Sequence, residues 1–217
     1  MALKSTKDMK ILRFVIPFFA LMLNACSDRL HNGDLVFQIN ESSDFVDAIE
    51  ASTNKSDLSF SHVGLVSVTD SGIYVIEASP KHGVVATRLN DFYDDSAHDK
   101  NGKPMVRFYR AKVAQDIADK AVARAASFIG TPYDFAFSQG TSELYCSELI
   151  YESFIDENGQ HLFPTLPMNF RNDKGDLPSY WIEHFNKLGI PVPENEEGTN
   201  PNDMANSDAV EILKIKV

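Results

Sequence analysis

Two β-branched runs, His62 to Val68 (HVGLVSV) and Ile73 to Ala78 (IYVIEA), are joined by Thr69-Asp70-Ser71-Gly72. Such runs around a Gly-ended polar turn predict a β-hairpin, which constrains this chain more than any other feature. If Thr69 and Gly72 pair, opposite residues have numbers summing to 141, so Gly64 faces Glu77 and Glu77 stands diagonal to His62. Diagonal neighbours on one face lie about 7–8 Å apart at the backbone, within reach of long side chains. Gly64 offers no side chain to block the carboxylate. Any odd sum keeps Glu77 on the face of His62, and an even sum moves it away. The plain alternative is an exposed strand carboxylate.

Other segments build around this hairpin. Gly33 to Ile39 reads as a strand with Leu35, Phe37 and Ile39 on one face, and Gly83 to Arg88 and Met105 to Arg110 as two more. Ser43 to Ala51 is expected to be a short helix, and Asp91 to Lys103 a polar loop with room for a turn of helix. A longer helix is predicted over Val113 to Ile129, with Ile117, Ala121, Ala125, Phe128 and Ile129 as its apolar stripe and Gly130 as its stop. Another is expected from Cys146 to about Asn158, capped by Thr141 or Ser142, buried through Leu149, Ile150 and Phe154, and ended by Gly159. A helix at Ser179 to Leu188, a loop at Pro191 to Ser207 and a strand at Ala209 to Val217 complete an α+β fold.

The N-terminus reads as a targeting segment. Lys4, Lys7, Lys10 and Arg13 form a basic region, and Ile11 to Leu23 supplies a short apolar run broken by Arg13 and Pro17. It ends in Leu23-Asn24-Ala25-Cys26, which resembles a bacterial lipobox with Cys26 as the lipidated residue. Residues 1–25 are therefore expected to be a lipoprotein signal peptide and residues 26–217 a single domain, held in the bacterial cell envelope by an N-terminal lipid anchor. A plain signal peptide cut near Ala25 is the alternative. The formal charge is -11. Such an acidic chain lacks the clustered Lys and Arg of a nucleic-acid binder.

With Cys26 lipidated, Cys146 has no disulfide partner in the chain. It falls at the predicted first turn of a helix, where free amides and the macrodipole favour a thiolate and could also serve an oxyanion. A half-buried core cysteine is the alternative reading. Of six histidines, His98 and His161 lie in polar loop sequence and are expected to be solvated, and His184 follows its helix pattern. His31 precedes the first strand, and His82 lies in a loop. His62 stands on a strand, the better platform for a base, and Glu77 would orient it. No zinc spacing and no G-x-S-x-G elbow occur, so neither a metal site, a cofactor nor a serine triad is expected.

The segments GDLVF (33–37), SHVGLV (61–66), IEASP (76–80), GTPYDF (130–135) and YCSELIYESF (145–154), in this order, resemble the YiiX-like branch of the NlpC-type papain-like superfamily. The histidine precedes the cysteine, which is the circularly permuted order also found in acyltransferases of the lecithin:retinol type. The resemblance implies a permuted papain-like fold, an antiparallel sheet or barrel packed on helices with the nucleophile at a helix N-terminus. It implies Cys146 as nucleophile, His62 as base and acid, Glu77 as the polar third residue, and Tyr133 as an oxyanion ligand. Tyr145 is the alternative for that last part, and a packing aromatic is the plain reading of Tyr133. Glu replaces the His or Asn usual at the third position.

Three functions compete. The first is an amidase or peptidase acting on peptidoglycan peptides. The second is a lipid-directed acyltransferase or N-acyl hydrolase acting on a lipid-like acyl substrate. The third is a non-catalytic lipid-binding module, against which an intact Cys146 and His62 argue.

Overall fold

The computed structural model describes residues 29–53 and 59–216. The predicted signal peptide and Cys26 lie outside the described residues. Five longer strands form most of an antiparallel sheet: β1 (Asp34–Gln38), β2 (His62–Thr69), β3 (Gly72–Ser79), β4 (Gly83–Arg88) and β5 (Val106–Ala111). A short strand, β8 (Val210–Ile212), completes the order β4-β3-β2-β1-β5-β8. A separate ribbon pairs β6 (Leu166–Pro167) with β7 (Glu197–Gly198).

The hairpin register is the one the turn implied: Thr69 pairs with Gly72, Val66 with Val75 and Leu65 with Ile76. Strand alternation sorts the side chains to two faces. Leu35, Phe37, Val63, Leu65, Ile76 and Ala78 belong to the larger core. There they meet the inner sides of α3 (Gln115–Ser127) and α4 (Cys146–Ser153) through Ala121, Ala125, Leu149 and Ile150. Val36, Val66, Val75 and Phe108 turn to the other face and form a smaller cluster with Phe92 of α2 (Leu89–Asp94). Fully burying one such aliphatic or aromatic side chain stabilises by about 1.5–3 kcal/mol. The larger face therefore dominates stability and holds α4 on the sheet.

Several sequence expectations shift. α3 buries Ala118, Ala121, Val122 and Ala125, while Ile129 is 49% exposed. The helix stops at Ser127, before the expected stripe is complete. α4 ends at Ser153 rather than near Asn158, because Arg124 of α3 donates to the carbonyls of Ser153 (2.7 Å) and Ile155 (3.1 Å). Gly159 then serves a tight turn closed by the Asp156 carboxylate, which accepts from Asn158 and Gln160. The helix α2 takes up residues 91–94 of the expected 91–103 loop, as the turn of helix allowed there. The 191–207 loop contains β7 and the helix α6 (Pro201–Ala205), whose N-cap Asn200 accepts from the Asp203 amide at 2.9 Å. α1 (Asp44–Thr53) and α5 (Ser179–Leu188) lie close to their expected ranges. The last strand is shorter than expected.

The sheet has two functionally distinct ends. At one end Arg110 holds Asp34 through two 2.8 Å bonds and also donates to the Arg29 carbonyl at 2.8 Å. At the other, Gln38 closes β1 opposite His62. The first turn of α4 arrives at this second end.

Candidate active site

His62 is the first residue of β2 and is buried, at 6% exposure. Its Nε2 lies 2.6 Å from Oε2 of Glu77, itself 7% exposed. The diagonal geometry allowed by the 141 register thus brings these two side chains into contact. Gly64 is required there: a Cβ on it would run into Cγ1 of Val75 and crowd Glu77. Glu77 also accepts a short hydrogen bond from the Thr87 hydroxyl of β4. Thr87 relates to Glu77 as Glu77 relates to His62, since Glu77 pairs with Val85 and Thr87 is two residues on. That register could have revealed Thr87, but no turn signal pointed to it.

Cys146 lies close enough to the His62 ring for its side chain and charge to favour the protonated imidazole. Burial pulls the imidazole toward its neutral form, but the interactions with Cys146 and Glu77 outweigh this and raise its pKa to about 10. Burial pushes the Glu77 carboxyl up, and its bond to His62 overcomes that and holds it below the usual range. The charged ring is thus the stable form between the sulfur and the carboxylate.

Cys146 is residue N1 of α4 and is buried. The N-cap is Tyr145, not Thr141 or Ser142, and its side chain makes no cap bond. The chain stays extended up to Tyr145 because Leu144 and Asp134 bond across to Pro132 and Leu144 carbonyls, at 3.1 and 3.2 Å. Thr141 instead accepts from the Glu143 amide in a local turn. Without a capping side chain, the first-turn amides beside the sulfur are not consumed by one. Glu148, at N3, has its Oε1 on the Gly140 amide at 3.1 Å. The Ser-Glu pair after the cysteine gave the sequence reading no cue to this.

The same Pro132–Leu144 pairing sets Tyr133 beside the cysteine. The loop is pinned on its other side by Val84, whose amide donates to Thr131 (2.8 Å) and whose carbonyl accepts from Gly130 (2.9 Å). Gly83, at φ +69, permits this close approach to Thr131. Tyr133 lines the space that contains Cys146 and the adjoining cleft that contains His62. Burial first, then the charge near Cys146, raises its hydroxyl well above the ordinary range, so it remains a donor. Tyr145 lines the same space, but its hydroxyl is engaged by Thr199, accepting from the amide (3.0 Å) and hydroxyl (3.3 Å) of that residue. His82 is close enough for its charge to help hold Glu77 ionised, whereas two other histidines have partners away from the cysteine. His161, expected in solvent, is half-buried and stacks on Tyr151 at 3.7 Å. His184 bonds the Phe135 carbonyl at 2.7 Å.

The model of the permuted papain-like amidases of the YaeF/YiiX type, the C92 family, matches residues 29–214. The chain belongs to this family. It is 29% identical over 150 residues to the uncharacterized protein YiiX of Escherichia coli (strain K12), covering 69% of this chain and 70% of that protein. The crystal structure titled metalloprotein yiiX from Escherichia coli O157:H7 superposes with a TM-score of 0.69 at 23% identity, covering 85% of this chain and 97% of that one. The fold is thus the permuted papain-like α+β fold, and the family is one of cysteine-hydrolase, amidase type. Among the described residues of this chain, no group of three or more His, Cys, Asp or Glu side chains is gathered as metal ligands would be.

Proposed function

We propose that this protein is a thiol amidase in which Cys146 attacks an amide carbonyl and His62, oriented by Glu77, moves the protons. The buried Glu77–His62–Cys146 chain at the tip of α4 carries this reading. In the resting ion pair the imidazole already holds the proton of Cys146, and the thiolate sulfur bonds to the carbonyl carbon. The resulting oxyanion lies against the Cys146 amide and the Tyr133 hydroxyl. His62 returns the proton to the leaving nitrogen as the C–N bond breaks, leaving a thioester. Water, deprotonated by His62, then releases the acid and restores the thiol.

The basic region and Leu23 to Cys26 support export and a lipid on Cys26. A cell-envelope substrate follows from that placement, with peptidoglycan peptides foremost. Mass spectrometry of muropeptides incubated with wild type and Cys146→Ala tests this part. The chemistry is tested by iodoacetamide labelling of Cys146 against pH. Rapid labelling at pH 5–6, slowed by His62→Ala, is expected. Labelling that rises only near pH 8.5, where an ordinary thiol ionises, would overturn the ion pair.

A further inference from the structure

Cys146 and His62 both stand at the ends of their elements. Cys146 is the first residue of α4, whose N-cap Tyr145 makes no side-chain cap bond, and His62 is the first residue of β2. β2 pairs with β1 as far as His62, but its pairing with β3 begins only at Leu65. The ends of helices and strands open readily, whereas proton transfer between sulfur and imidazole depends on their spacing. Holding the pair therefore calls for a support outside both elements.

One short stretch, 199–202, reaches both. Thr199 grips the two neighbours of the nucleophile. Its amide donates to the Tyr145 hydroxyl at 3.0 Å, and its Oγ1 lies 3.3 Å from that oxygen and 3.1 Å from Oγ of Ser147. Asn202, fully buried, grips the approach to His62. Its Oδ1 accepts from the Phe60 amide (2.8 Å), and its Nδ2 donates to the Phe60 carbonyl (2.9 Å) and to Oγ1 of Thr53 at the end of α1 (2.9 Å). The next amide along, that of Ser61, donates to the Gln38 carbonyl at 3.0 Å, and His62 follows. Between the two grips the backbone is stiff. Asn200 caps α6 and Pro201 begins it with its φ already fixed.

We infer that residues 199–202 form a brace that sets the spacing of Cys146 and His62, with Thr199 and Asn202 as positioning residues. Thr199 acts through Tyr145 and Ser147, and Asn202 acts through Phe60. The contacts span 52 and 142 residues of chain, so no local preference of α4 or β2 can replace them. Without Asn202 the buried amide and carbonyl of Phe60 lose their partners, and the start of β2 must move to find others.

This inference rests on the proposed thiol–imidazole pair, and the test separates the two. Iodoacetamide labelling of Cys146 is followed against pH in wild type and variants, beside thermal unfolding. Thr199→Val keeps the shape and the amide bond and removes the hydroxyl. Its labelling midpoint is expected to rise by about half a unit to one unit, a roughly three- to tenfold slower reaction on the low-pH side. Thr199→Ser restores the hydroxyl and should return the wild-type profile. Asn202→Ser should raise the midpoint at least as far as Thr199→Val, and if it does not fold the two Thr199 variants decide. Arg171→Gln, which breaks the ion pair with Glu194 just upstream of the brace, is expected to leave the midpoint in place. Lowered stability with an unmoved midpoint in Thr199→Val, a serine variant that behaves like the valine one, or an equal shift in Arg171→Gln overturns the brace and leaves the thiol reading intact. A wild type that labels only near pH 8.5 overturns the thiol reading itself, and the brace falls with it.

Discussion

Two buried carboxylates flank the site, and they differ in sign. Glu77 on the sheet and Glu148 on the helix are 7% and 0% exposed. Burial drives both toward the neutral acid. Glu77 has a charged imidazole at 2.6 Å and the Thr87 hydroxyl, and its pKa falls. Glu148 has the Gly140 amide on Oε1, while Oε2 has no hydrogen-bond partner among the described residues. Burial, aided by the charge of Asp134 and opposed by backbone amides, raises Glu148 to about 7. At equal depth, a cationic partner decides whether a carboxyl keeps its charge.

The largest effects should come from the chain through Glu77. Cys146→Ala removes the nucleophile, and amide turnover should fall to background. His62→Ala should cost about 10²–10⁴-fold in kcat. Glu77→Gln keeps the size but removes the anion that stabilises the charged ring. The pKa of His62 then falls, and the alkaline limb of the rate profile moves to lower pH, with a rate loss on the order of 10²-fold. An unmoved alkaline limb would break the comparison at its first member.

Glu148→Gln tests the second member through stability. A carboxyl raised from 4.5 to about 7 favours folding below its unfolded value, and that contribution is lost as pH rises through about 7. Wild type should therefore lose stability between pH 5 and 8 relative to Glu148→Gln, by about 1–2 kcal/mol in urea unfolding. A constant difference across that range contradicts the raised carboxyl. The smallest effect is expected from Thr87→Val. Without the hydroxyl, Glu77 titrates higher and the acid limb of activity moves up by a fraction of a pH unit. An acid limb that stays in place would show that His62 alone sets the charge of Glu77.

The contrast also explains what the sequence revealed. His62 and Glu77 were legible because a turn fixes register, and a period of two then assigns faces. Cys146 was legible because a helix start could be read around it, although the capping residue was misplaced. Thr87 required the register of a second strand pair. Glu148 depends on the path of the 134–144 loop, where Asp134 and Glu148 bind backbone amides that no residue pattern marks. α6 did carry a signal, Asn200 before Pro201, hidden in a stretch whose composition suggested only loop. Long-range choices of this kind, such as Arg124 ending α4, belong to packing and not to local preference.

The arrangement of β1 gives the domain a direction. Arg29 is fastened where the strand begins, and the thiol lies beyond where it ends, so the five residues of β1 alone separate the two by about 17 Å. Should Cys26 carry the proposed lipid, three residues allow a tether of about 10 Å at most. The base of the domain would then rest near the bilayer while its mouth looked outward. An enzyme mounted in that way meets molecules arriving from the surrounding compartment more readily than the lipids beneath it.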